Sequence, residues 1–102
     1  MEYVIRSENG QIEAQIMGRL TFETKSSCGK LISELAAQEP KEAVIDLRDV
    51  GFLDSAGLGF LLRAQDVLHR KGAQLTLRVP NDGQTKKMLS MSKFDELIPF
   101  VQ

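Results

Sequence analysis

Ala43-Val44-Ile45-Asp46-Leu47 is the segment that most restricts how this chain can fold. It is short and β-branched, and its apolar residues are consecutive rather than alternating. A strand of that kind has both sides covered. Such a strand lies inside a sheet, with parallel neighbours reached through helical crossovers.

The flanking segments supply those neighbours. Tyr3-Val4-Ile5-Arg6 is β-prone and runs towards Asn9-Gly10, a strong hairpin-turn pair. Ile12, Ala14 and Ile16 then alternate with Glu13, Gln15 and Met17, predicting a half-buried strand that Gly18 breaks. From Phe22 to Gln38 the period becomes helical, with Phe22, Cys28, Leu31, Ile32 and Leu35 at three- and four-residue spacing. Thr21 and Thr24 both qualify as its cap, and Pro40 closes it. A second helix is expected from about Ser55 to Arg70, ended by Lys71-Gly72. Gln74 to Val79 alternates as a strand, and Pro80-Asn81-Asp82-Gly83 turns into a third helix, Gln84 to Met91. A helical turn at Phe94–Leu97 and an edge strand at Pro99-Phe100-Val101 complete the chain. The order β-β-α-β-α-β-α predicts an α/β fold: a mixed sheet, mostly parallel, with an N-terminal antiparallel hairpin and helices packed against it. At 102 residues, positions 1–102 read as one domain with one modest core.

Charge narrows the function classes. Thirteen basic and fourteen acidic residues leave a formal charge of −1, without the basic stripe that nucleic-acid binding requires. Like charges never run beyond Lys86-Lys87, so direct membrane contact through a polybasic patch is not expected. No segment approaches the roughly 20 apolar residues of a spanning helix. MEYVIRSENG shows no signal-peptide pattern, and the single cysteine, Cys28, permits no internal disulfide. The expected location is cytoplasmic.

Chemistry concentrates in Phe52-Leu53-Asp54-Ser55-Ala56-Gly57-Leu58-Gly59-Phe60. A nucleophile elbow needs G-x-S-x-G, but Leu53 stands two before Ser55. The one histidine, His69, falls on the same helix as Ser55, ~20 Å away at ~1.5 Å per residue. The phosphate-loop lysine is missing after the glycines, and one Cys and one His do not build a metal site. Gly57-x-Gly59 is half of a dinucleotide fingerprint, a weak hint of a small-molecule site. No catalytic residue, metal or cofactor is therefore expected. Ser55 could serve simply as the helix N-cap, worth ~1 kcal/mol. That role leaves unexplained Gly57 and Gly59, each costing ~1 kcal/mol relative to alanine inside a helix. With Ala56 they bare the helix start, either for close packing within the domain or for an approaching partner.

The second helix is also apolar around roughly 200°, against the little more than 100° of a core-facing stripe. Leu58, Leu61, Leu62 and Leu68 form one sector, and Phe60, Ala64 and Val67 extend it, with Arg63, Asp66 and Arg70 opposite. The excess is covered by a neighbouring helix or forms an exposed binding face beside Ser55; the latter is the expectation carried forward. A phosphate on Ser55 would add about −1.5 to −2 charges at a helix N-terminus, which favours anions. The fold would tolerate it, and a partner burying that charge beside Asp54 would not.

Val44-Ile45-Asp46-Leu47-Arg48-Asp49-Val50-Gly51 followed by Phe52-Leu53-Asp54-Ser55-Ala56-Gly57-Leu58-Gly59 resembles the central motif of STAS domains, specifically the small anti-sigma factor antagonists. Gly18-Arg19-Leu20, Lys71-Gly72-Ala73-Gln74-Leu75 and Met88-Leu89-Ser90-Met91-Ser92 extend the resemblance over nearly the whole chain. It implies a non-catalytic regulator phosphorylated at Ser55 by an anti-sigma-factor-type serine kinase and restored by a PP2C-like phosphatase. The unphosphorylated form would bind the kinase through Asp54, Ala56, Gly57, Gly59, Phe60, Ala64, Val67 and Thr21. Gly18-Arg19-Leu20-Thr21 departs from the family's Gly-Glu/Asp-apolar-Asp run, losing both acids. The alternative that the resemblance leaves open is a non-switching structural subunit of a transporter or signalling assembly.

Overall fold

The computed structural model describes residues 1–101. β1 (Glu2–Glu8) and β2 (Gln11–Leu20) form an antiparallel hairpin. Its turn residues Asn9 and Gly10 have φ of 53° and 82°, the positive values a tight hairpin turn demands. A 3-10 turn, Phe22–Thr24, leads into α1 (Lys25–Ala37). Then come β3 (Glu42–Leu53), α2 (Ser55–Arg70), β4 (Gln74–Arg78), α3 (Gly83–Met91), a second 3-10 turn (Phe94–Glu96) and β5 (Phe100–Val101). The sheet order is β1-β2-β3-β4-β5, and every pair after the hairpin is parallel. The expected mixed sheet is therefore present, with β3 at its centre.

Register explains the core. Ala14, Ile45 and Leu77 are aligned across β2, β3 and β4, as are Ile12, Ala43 and Leu75. These side chains join Leu31, Ile32, Leu35, Leu61, Ala64 and Leu68 of the helices in one buried cluster. The intervening residues, Glu13, Gln15, Asp46, Thr76 and Arg78, point to the opposite face, where Arg78 bridges Glu13 at 3.1 Å. Asp46 is buried there and held by the Arg48 guanidinium at 2.8 Å. Burial pushes its carboxyl up, but the hydrogen bonds and charge of Arg48, with the charge of Arg78, outweigh this and set it below the ordinary range.

Three expectations change. Gly18 does not end β2: with φ of 102° it sits beside a register shift and the strand continues to Leu20. β3 does not stop at Leu47 but runs to Leu53, because residues 49–53 keep pairing with β2. The third correction concerns α2. Phe60 and Ala64 are not exposed; they are 7% and 0% accessible, and Val67 is half-buried. Right-handed crossovers between adjacent parallel strands bring successive helices to one face of a sheet. α1 and α2 accordingly pack together, and α1 covers the flank of α2 that carries Phe60 and Ala64. Leu62, assigned to the core sector by its spacing, is 39% exposed instead.

Candidate functional site

Asp54, rather than Ser55, caps α2. Its extended backbone (φ −107°, ψ −174°) ends β3, and its Oδ1 accepts the Gly57 N–H at 3.0 Å. Oδ2 accepts the Phe22 N–H at 3.2 Å, so one carboxylate ties the start of α2 to the turn that opens α1. The Asp54 N–H donates to the Leu20 carbonyl at 3.3 Å, fixing the end of β3 to the end of β2. Desolvation acts to raise this carboxyl, but backbone N–H donors, those of Gly57 and Phe22 foremost, leave it below the ordinary range. It is ionised at neutral pH.

Ser55 is the first residue of α2 and is exposed. The capping role is filled one residue earlier, so no described residue hydrogen-bonds the Ser55 hydroxyl.

The two glycines separate cleanly. A Cβ on Gly57 would run into the Leu20 carbonyl oxygen and Leu53 Cδ1, so this residue is small because α2 starts against the strand ends. A Cβ on Gly59 meets nothing within 4 Å. Gly59 instead lines a groove of about 270 Å³ between α1 and α2. Thr21, Ala56 and Phe60 also line it, so four of the predicted contact residues converge beside Ser55. Gly57 and Ala64 are buried in the packing beneath, and Val67 does not reach the groove.

Cys28 lies in the groove wall and is 5% accessible. Burial is the main influence on its thiol and pushes it up, away from the thiolate that nucleophilic chemistry needs.

Sequence reasoning missed the residues that hold this platform in place. β4 pairs with β3 only up to Asp46–Arg78, so the far end of β3 has no strand on that side. The start of α3 fills the space. Gln84 behaves like a piece of strand: its Oε1 accepts the Leu53 N–H and its Nε2 donates to the Leu53 carbonyl, both at 2.8 Å. Thr85, 1% accessible, donates to the Val50 carbonyl at 2.7 Å. A glutamine and a threonine opening a helix look like ordinary first-turn residues, and nothing local marks them as partners of residues more than thirty positions away. The departure at Arg19 also finds a structural role, since its guanidinium carbon lies 4.5 Å from the Phe52 ring centroid.

A family model described as "Mlab, STAS domain" matches residues 5–99. A STAS-domain containing protein of Pseudomonas aeruginosa (strain UCBPP-PA14) is 33% identical over 92 residues, which is 89% of each chain. The chain belongs to the STAS-domain family. Among solved STAS folds, an anti-sigma factor antagonist from Mycobacterium paratuberculosis superposes with a TM-score of 0.81 at 23% identity, covering 97% of this chain and 83% of that one. SpoIIAA of Bacillus in its phosphorylated form gives 0.64 at 16% identity, covering 99% and 92%. The STAS architecture thus accounts for the sheet order and the hairpin. No helix among the described residues is long and apolar enough to cross a membrane.

Proposed function

We propose that this STAS domain is a non-catalytic partner-switching protein whose docking is controlled by phosphorylation of Ser55. The observation that supports it best is the exposed Ser55, with no hydrogen-bond partner among the described residues, next in the chain to Ala56 of the α1–α2 groove and with helix capping left to Asp54. An anti-sigma-factor-type serine kinase would be both modifier and client, and a PP2C-like phosphatase would restore the unmodified state. Physical chemistry supports the direction of the switch. A phosphate at the first turn of α2 meets the favourable end of the helix dipole, so the fold accepts it. It also adds about −1.5 to −2 charges beside the ionised Asp54 carboxylate. A partner seated on the groove would have to desolvate both.

Incubation with the kinase co-purified from the source cell, plus MgATP, should add one phosphate that Ser55→Ala abolishes. Phosphate retained in that variant refutes the site. In the same kinase, Ser55→Asp should bind far more weakly than Ser55→Ala. Equal, tight binding of both would instead identify a non-switching subunit.

A further inference from the structure

The groove beside Ser55 is walled by apolar side chains and bordered by positive charge. Ile32 and Phe60 lie in its wall, and Phe22, 68% exposed, stands at its edge. An aromatic ring so accessible beside an open groove contributes nothing to the core and offers a partner a large apolar contact. Lys25 and Arg63 line the same groove, the Lys25 Nζ lying 5.9 Å from the Phe22 ring centroid.

Three cations on other surfaces are paired, Arg48 with Asp46, Arg70 with Asp66, and Arg78 with Glu13. Among the described residues, no carboxylate lies within 4.0 Å of the Lys25 or Arg63 nitrogens, and none lines the groove. The nearby Asp54 carboxylate is committed to backbone N–H groups. Two cations and no carboxylate therefore line an apolar groove on a chain whose net charge is −1.

We infer that the groove receives a protein segment of acidic, apolar character, carrying a hydrophobic side chain for the space beside Phe22 and carboxylates for Lys25 and Arg63. This rests on the partner-switching reading and specifies the partner's chemistry. It also gives the switch a second physical component, because a phosphate on Ser55 would compete with the partner's carboxylates for the same cations.

The test uses the full chain, labelled with nitrogen-15, and two amphipathic helical peptides. One carries leucines flanked by glutamates, the other the same leucines flanked by lysines. The acidic peptide should shift the Gly29, Gly59 and Arg63 amides saturably, and the basic one should not. Arg63→Glu combined with Lys25→Glu should weaken the acidic peptide roughly tenfold, with an unchanged circular dichroism spectrum showing that the variant folds. Equal binding of both peptides, shifts confined to another surface, or no shifts at all would overturn the inference. So would a homodimer, seen by sedimentation, that Phe22→Ala dissociates, because the groove would then be filled by a second copy. If the acidic peptide binds as expected but equally well to Ser55→Asp, the acidic docking site stands and the phospho-switch fails.

Discussion

Gly57 and Gly59 are two residues apart on one helix, yet alanine at each should have opposite effects. At Gly57 the new Cβ collides with a backbone carbonyl, that of Leu20, and with the packed Leu53 side chain. The carbonyl cannot simply move aside, because it accepts the Asp54 N–H that joins β2 to the helix start. Overpacking of this kind costs about 2–3 kcal/mol. The better helix propensity of alanine returns at most ~1 kcal/mol, so Gly57→Ala should destabilise by about 1–2 kcal/mol. At Gly59 nothing stands within 4 Å, so only the propensity gain remains and Gly59→Ala should stabilise by about 0.5–1 kcal/mol. Urea unfolding at neutral pH measures both, with the difference appearing in the midpoint and not in the slope. Gly59→Ala should nevertheless weaken peptide binding, since its methyl group projects into the groove. Equal shifts of the two midpoints, or a neutral Gly57→Ala, would refute the assignment of Gly57 to close packing.

Ser55→Ala should change stability by less than about 0.5 kcal/mol, whereas Asp54→Ala should lower the melting temperature clearly and Asp54→Asn, still able to cap, should lower it less; thermal melts of the three variants distinguish them. Asp46 and Asp54 both have folded-state carboxyls below their ordinary range. Their contribution is complete above the unfolded value of about 3.9 and is lost as pH falls from there through the lower folded values. Urea midpoints should therefore drop in acid, and the drop should be shallower in Asp46→Asn. Thr85→Val leaves the buried Val50 carbonyl without its donor and should cost about 1–3 kcal/mol, read from the same unfolding curves.

The order of elements was legible because each carries its own period. The hairpin is announced by Asn9-Gly10, the central strand by consecutive β-branched residues, and α2 by its cap and terminal glycine. The length of β3 was not legible, since Arg48, Asp49 and Gly51 interrupt the apolar run while pairing with β2 keeps the backbone extended. Ser55 was found through its motif, but the capping oxygen belongs to Asp54. Only the backbone geometry, with Asp54 extended and Ser55 already helical, decides which of two adjacent good caps is used. The apolar excess on α2 was visible as an excess, and its cover was not, because that depends on how α1 crosses back over the sheet. Lys25 and Arg63 are ordinary surface cations in sequence, and they meet only when α1 and α2 lie side by side.

The grip of Gln84 on Leu53 carries a consequence for how this chain is made. Strands β1 to β4 can all be present while the last backbone pair before Asp54 still lacks its seal, because the side chain that closes it is synthesised some thirty residues later. The platform under Ser55 should therefore mature late, with α3 acting as a latch. Hydrogen–deuterium exchange can show the latch directly: in Gln84→Ala the Leu53 amide should exchange much faster while the Ile45 amide stays protected, and equal protection at both would mean that the strand end needs no latch.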